Sequence, residues 1–286
     1  MRSPNRPLTI ASHDRDIAGM TYVYPVVSRR AGGVSLGVNL NPNNACNWRC
    51  IYCQVPALRR GGPPPIDLMQ LEEELRRMLR DITRGDFMAR AVPEGMRRLN
   101  DVALSGNGEP TSAAEFPAVV HLIGRVLTEF GLAGQTKVVL ITNGSLAGKP
   151  RVRSGLRAMS ALNGEAWFKF DRATRQGLAL VNDTRTDPEA HFRRLAQVAG
   201  LCPTWVQTCM FSLDGVAPEP AETEAYVALL KRARAEIPTL RGVLLYGLAR
   251  PSLQPEAPRL SPLPEGWLDS LGKRIQALGL PVRITP

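Results

Sequence analysis

From residue 34 onward the chain alternates between two hydrophobic rhythms. Val34 to Leu40 reads as a strand and is stopped by Asn41-Pro42-Asn43-Asn44. Gly61-Gly62-Pro63-Pro64-Pro65 is a rigid spacer. From Asp67, the apolar residues Leu68, Leu71, Leu75, Met78, Leu79 and Ile82 recur at helical spacing with Glu and Arg between them, which predicts an amphipathic helix. Further strands are predicted at Asp101–Ser105, Lys137–Thr142, Glu165–Asp171, Trp205–Ser212 and Val243–Leu248, with a last one at Pro281–Ile284. Helices fall between them at Ala113–Phe130, Arg151–Leu162, Asp187–Ala199, Glu222–Ile237 and Trp267–Leu278. Residues 1–33 read as polar and irregular.

Strands alternating with helices argue for an α/β fold with a parallel sheet. Roughly 250 residues of regular β–α units fit one domain, a whole or partial barrel over residues 1–286, better than two domains. A doubly wound open sheet is the competing arrangement. In Glu165–Asp171 the two-residue period puts Glu165, Trp167, Lys169 and Asp171 on one face and Ala166, Phe168 and Phe170 on the other. In a barrel the apolar trio meets the helices, and Lys169 and Asp171 turn inward near the end that carries chemistry. The alternative is an edge strand with a polar solvent face.

Composition changes little in this picture. The 44% hydrophobic and 22% charged residues are those of a globular protein. No apolar run reaches membrane-spanning length, and the first twenty residues have no secretory core. Charge adds more: the net charge is +10, and 31 of the 36 basic residues are Arg. Doublets such as Arg59-Arg60, Arg76-Arg77, Arg97-Arg98 and Arg193-Arg194 read either as solvated faces or as a surface for nucleic acid or an acidic redox protein.

The five cysteines are an odd number, and three of them, Cys46, Cys50 and Cys53, stand in a C-x3-C-x2-C run. This favours a reducing compartment, the cytoplasm, and a metal site over a disulfide framework. Three close thiolates grip a soft metal centre. They are one short of the four that close a structural zinc site or a cubane iron–sulfur cluster, so a coordination position stays open. Zinc with one further ligand, in a nucleic-acid-binding protein, is the non-enzymatic reading. After the second strand, Ser105-Gly106-Asn107-Gly108-Glu109-Pro110-Thr111 offers glycines for close backbone approach and a carboxylate. Thr111 stands where a dinucleotide fingerprint needs its third glycine.

Together these motifs resemble the radical S-adenosylmethionine enzymes. The resemblance rests on Cys46, Cys50 and Cys53 with Tyr52 before the third, and on Asn107-Gly108-Glu109-Pro110, similar to the family's Gly-Gly-Glu-Pro. It rests also on Thr142-Asn143-Gly144 at a strand end, similar to a ribose-contacting position, and covers roughly residues 34–250. It implies a partial (β/α)6 barrel of parallel strands. It further implies a [4Fe–4S] cluster on Cys46, Cys50 and Cys53, with S-adenosylmethionine on the fourth iron. Tyr52 would lie by the adenine, Gly106 to Pro110 would hold the methionine amino group, and Thr142 and Asn143 would approach the ribose or carboxylate. Reductive cleavage would then give a 5′-deoxyadenosyl radical that abstracts a substrate hydrogen.

The entry, Tyr24-Pro25-Val26-Val27-Ser28-Arg29-Arg30, with Ser35-Leu36-Gly37-Val38-Asn39 and Cys53-Gln54, resembles stand-alone iron–sulfur oxidoreductases grouped with tRNA wyosine synthases. This points to a tRNA base as one candidate substrate, beside a protein or small metabolite, and to an acidic flavodoxin or ferredoxin as electron donor. Residues 1–45 hold no cysteine, so a second cluster upstream of the first has no ligands there. Lys169, Asp171 and Cys209 are the catalytic candidates. Lys169 would form a Schiff base, a salt bridge to Asp171 or a bond to a ligand carboxylate. Cys209 would either face the barrel as a hydrogen-atom donor or sit in the core. Cys202 reads as a small buried residue, and His13, His121 and His191 as structural or exposed. Arg29 and Arg30 would reach an anion or brace the cysteine loop.

Overall fold

A computed structural model describes residues 8–9, 18–28, 32–248 and 250–285. His13, Arg29 and Arg30 lie outside the described residues. Eight strands form the main sheet in chain order: β1 (Val23–Ser28), β2 (Gly33–Val38), β3 (Leu99–Leu104), β4 (Lys137–Thr142), β5 (Gly164–Lys169), β6 (Thr204–Cys209), β7 (Leu240–Tyr246) and β8 (Val282–Thr285). Neighbours from β2 to β8 pair in parallel, while β1 pairs antiparallel with β2. The sheet curls into a half-barrel, and its two edge strands bring Tyr24 and Thr285 to the same central cavity. The barrel expectation holds; the open doubly wound sheet does not.

Helices cross over between the parallel strands. The longer ones are α1 (Leu68–Arg84), α2 (Phe116–Glu129), α3 (Pro150–Ser160), α4 (Arg175–Asn182), α5 (Pro188–Ala199), α6 (Pro220–Glu236) and α7 (Trp267–Gln276). Asp67 caps α1, accepting from the backbone N–H groups of Met69 and Gln70 at 3.0 Å each. The face of α1 carrying Leu71, Leu75, Met78 and Leu79 is fully buried. On the sheet's outer face Ala166, Phe168 and Phe170 join this helix-packed core. On the inner face Ala103, Val139, Trp167, Trp205 and Leu244 form a separate floor. Trp167 and Lys169 therefore turn inward, with Glu165 bonded to the Trp167 ring N–H and Asp171 beside Lys169, on a central rather than an edge strand.

Two elements differ from expectation. β1 lies in the stretch read as irregular. Its lead-in is held by a buried helix carboxylate: Glu74 of α1 accepts from the backbone of Thr21, Tyr22 and Val23 at 2.9, 2.7 and 3.1 Å. That support is 51 to 53 residues away in sequence and leaves no local pattern. The other is α4, whose eight residues are too few for a clear helical period.

Candidate metal and cofactor site

The loops that follow β2 to β7 gather at the C-terminal rim of the half-barrel, where such folds place their chemistry. The loop after β2 carries the cysteines. Its neck is stapled by a short parallel bridge, Ala45 with Arg59 and Cys46 with Arg60. Its underside rests on α4: the N–H of Arg49 donates to the Asn182 carbonyl at 3.3 Å and that of Ile51 to Val181 at 2.9 Å. Its far side is held from residues about two hundred positions later. The Cys53 carbonyl accepts from the Leu253 N–H at 2.9 Å, the Ser252 hydroxyl at 3.2 Å and the Gln254 amide at 3.2 Å. Arg49 completes the clamp with a bidentate pair to Glu256, at 3.0 and 2.7 Å, and a bond to Asp183 at 3.1 Å.

Cys46, Cys50 and Cys53 are half-buried and line one cavity of about 290 Å³, near the lower end for ligand sites. Tyr52, Gly106, Asn107, Gly108, Glu109, Asn143, Lys169 and Cys209 share that wall. Pro110 and Thr142 do not reach it. Burial pushes the Cys46 thiol up to about 11 and Cys50 higher still. Both therefore stay protonated near neutral pH until a metal displaces the proton. The Asn182 amide donates to the Cys50 sulfur at 3.2 Å, a contact of the kind that tunes iron–sulfur centres. Among the described residues, no three His, Cys, Asp or Glu side chains converge to hold one metal ion. A cluster does not need that convergence, since each thiolate takes a separate iron; the donor set fits it.

Six asparagines tie the rim together. The Asn39 side-chain oxygen accepts from the backbone of Asn41 at 3.0 Å and of Asn107 at 3.1 Å. Asn41 donates to the Ala45 carbonyl at 2.8 Å, and Asn107 to the Asn44 side chain at 2.6 Å. Asn143 donates to Asn47 at 2.8 Å, and Asn47 to the Ser145 hydroxyl at 2.6 Å. The sequence shows Asn41 and Asn44 only as a strand stop, while Asn107 and Asn143 stand out as members of the glycine loop and of a strand end. The clustering of Asn39, Asn41 and Asn44 directly before the first cysteine, with Asn47 directly after it, is the signal that could have marked the network.

The glycines after β3 do more for this network than ligand approach alone would require. A side chain at Gly106, whose φ is +149°, would strike Asn39 at 2.5 Å. One at Gly108 would meet the Ala45 carbonyl at 2.1 Å and the Asn41 side chain at 2.6 Å. Gly108→Val is accordingly expected to destabilise the fold by about 1–3 kcal/mol and to loosen the cysteine loop. Thermal unfolding against Gly62→Ala, where nothing lies within 4 Å, checks this; equal melting temperatures would contradict it.

Glu109 turns inward, 2% exposed. One oxygen accepts from the Thr111 hydroxyl at 2.5 Å, the Thr111 N–H at 3.2 Å and the Thr142 hydroxyl at 2.6 Å. The other accepts from the Asn143 N–H at 2.7 Å. Burial pushes this carboxyl up, against the hydrogen bonds that favour its ionised form. Both oxygens are thus committed to joining the ends of β3 and β4. What the loop offers a ligand most openly is the backbone of Gly106 to Gly108.

Behind the wall formed by Tyr52, Lys169 and Cys209, the buried Asp171 accepts from the Tyr52 hydroxyl at 2.6 Å, the Asn182 amide at 2.7 Å and the Cys209 N–H at 2.9 Å. The Lys169 ammonium lies 3.9 Å from the same carboxylate, 3.3 Å from the Tyr246 hydroxyl and 4.8 Å from the centre of the Tyr52 ring. Burial is the largest influence and pulls the Lys169 pKa down, but Asp171 together with Tyr246, Cys50 and Cys209 pushes it up on balance and favours the charged group. Cys209 is both buried and on the cavity wall, packed with Ile51, Tyr52, Val181 and Phe211. Cys202 is buried in the main core. His191 is buried between Trp48, Phe168 and Phe170, and burial pulls it down to about 4; His121 is exposed. Arginines such as Arg232, Arg259 and Arg274 sit on the surface paired with carboxylates, as solvated faces do.

No family model matches the chain. A 135-residue stretch, 46% of the chain, is 28% identical to the GTPase Obg of Brachyspira hyodysenteriae and spans 17% of that protein. No Gly-Lys pair here precedes Ser or Thr, so the phosphate loop of P-loop GTPases has no counterpart in this sequence. The fold is similar to Streptococcus suis SuiB bound to S-adenosylmethionine, with 10% identity, TM-score 0.53, and coverage of 89% of this chain and 47% of that one. It is similar also to TYW1 with a lysine-pyruvate adduct bound, with 14% identity, TM-score 0.56, and coverage of 88% and 74%. A radical SAM methyltransferase from Sphaerobacter thermophilus matches at 14% identity and TM-score 0.56, over 88% and 66%. The chain thus spans about half the length of SuiB. Among the described residues no helix is long and apolar enough to cross a membrane. A curled eight-stranded sheet, with its cysteine loop on the C-terminal rim, gives this chain the partial-barrel fold of the radical S-adenosylmethionine enzymes.

Proposed function

We propose that this chain is a radical S-adenosylmethionine enzyme. The observation that carries the reading is the placement of Cys46, Cys50 and Cys53 on a clamped loop, facing the same cavity as Gly106–Glu109 and Asn143. Each cysteine would hold one iron of a [4Fe–4S] cluster, and the backbone of Gly106 to Gly108, with Tyr52 and Asn143, would seat S-adenosylmethionine. When bound and reduced, this pair supplies a carbon radical that takes a hydrogen atom from substrate. The chain's own contribution is to hold the loop, to donate the Asn182 N–H to Cys50, and to surround the centre with Trp48, Tyr52 and Trp167, which exclude water. An acidic flavodoxin or ferredoxin is the proposed electron donor, matched to the net charge of +10.

The test is anaerobic reconstitution followed by assay of iron, sulfide and zinc. About four irons and four sulfides per chain are expected, with 5′-deoxyadenosine released on addition of S-adenosylmethionine and a reductant. Stoichiometric zinc without sulfide would overturn the reading in favour of a zinc-containing nucleic-acid-binding protein. For the substrate, a tRNA base and a protein or small metabolite remain in competition. Comparing tRNA nucleosides and metabolites by mass spectrometry, in cells with and without the gene, separates them.

A further inference from the structure

Lys169 closes β5 with its side chain 17% exposed and on the wall of the central cavity. An ammonium carries three donors. Among the described residues its one hydrogen bond is to the Tyr246 hydroxyl, at a long 3.3 Å. Asp171, at 3.9 Å, is too far to accept a proton from it and already takes three other donors. The carboxylate therefore favours a charged Lys169 without using its N–H groups. The rings of Tyr52 and Tyr246, centred 4.8 and 6.0 Å away, add electrostatic support but no acceptor of that strength. Trp167 and Ile141 make the neighbouring wall apolar. Such a setting, a fixed cation with donors left over beside low-dielectric walls, selects an anion.

We propose that Lys169 anchors the carboxylate of a small organic-acid substrate by a charge-assisted hydrogen bond, not through an imine. An imine needs a neutral amine, and Asp171 opposes that state. The proposal deepens the radical-enzyme reading and rests on it for the role of the acid as substrate. Binding is read separately from turnover, so the two can fail independently.

The probes are carboxylates from acetate to phenylpropionate, each against its neutral amide, titrated calorimetrically into the anaerobic full chain. At least one acid is expected to bind about tenfold tighter than its amide. Lys169→Gln should erase that preference, and Lys169→Arg should restore it, at unchanged iron content. The preference should persist with S-adenosylmethionine saturating. Absence of any acid-over-amide preference, or its survival in Lys169→Gln, overturns the proposal. So does its loss on adding S-adenosylmethionine, because the anchor would then serve the carboxylate of that molecule. Borohydride treatment with a 2-oxo acid should leave the mass of Lys169 peptides unchanged, and a trapped adduct would contradict the ionic anchor. Displacement of the acids by total tRNA would give the cavity to a nucleic acid instead.

Discussion

Cys50→Ala protein, reconstituted anaerobically, is expected to retain no more than background iron and sulfide and to release no 5′-deoxyadenosine. Of the three thiols, Cys50 is the one held deepest. It packs against Ile51, Tyr52, Val181 and Phe211, and its sulfur receives the Asn182 N–H. Alanine there leaves two thiolates on the loop, and two do not hold a cubane. The fold itself should survive, because one half-buried sulfur is lost and the Arg49–Glu256 pair and the Cys53 carbonyl contacts remain. Cys209→Ala, in the same packing group, should keep its iron and so separates ligation from mere proximity. Cluster-level iron in Cys50→Ala would refute the ligand assignment. The same thiols predict a pH dependence. Burial raises Cys46 to about 11 and Cys50 beyond it. Iron uptake must expel their protons, so loading of the metal-free protein should strengthen as pH rises and weaken as it falls.

Glu109→Leu should be the more damaging change to the protein as a whole. It removes the acceptor for four donors at once: the Thr111 and Thr142 hydroxyls and the Thr111 and Asn143 N–H groups. A buried donor left unmade costs about 1–3 kcal/mol, so a loss of at least about 3 kcal/mol is expected even if some of the four find water. Glu109→Gln keeps the shape and one acceptor oxygen, but sets an N–H against one of those donors, so its loss should be intermediate. In that milder variant the cluster should assemble while S-adenosylmethionine binds more weakly, because Asn143 is no longer held in place. Thermal unfolding ranks the variants, and calorimetry reads the cofactor. Wild-type melting for Glu109→Leu would mean that the carboxylate braces nothing.

These two residues also mark how far the sequence could be read. The cysteine spacing is local, so Cys46, Cys50 and Cys53 are visible without a structure. So is the inward face of β5, because a two-residue period needs only one strand. Glu109 is visible as a carboxylate in a glycine loop, but its partners Thr142 and Asn143 are more than thirty residues away. Whether its charge faces a ligand or the protein is decided by that long-range contact. β1 stays hidden for the same reason: its support comes from Glu74 on a helix, not from its own pattern. Asn182 is the clearest omission. It ends a short helix with no strong period, and nothing near it in sequence hints that its amide bridges Cys50 and Asp171.

The clamp on the cysteine loop has a consequence for when the metal can arrive. The carbonyls of Ile51 and Cys53 are held by Ser252, Leu253 and Gln254, and Arg49 by Glu256. While the ribosome is still translating the strands between, these partners do not yet exist. The cysteines emerge early and wait, as soft nucleophiles on an unanchored loop, for roughly two hundred residues of synthesis. At elongation rates of about 5–20 residues per second, that is an interval of about ten seconds or more. For the proposed cluster, insertion into the finished geometry therefore belongs after translation of the clamp, and during that interval the fold does not yet shield the three thiols.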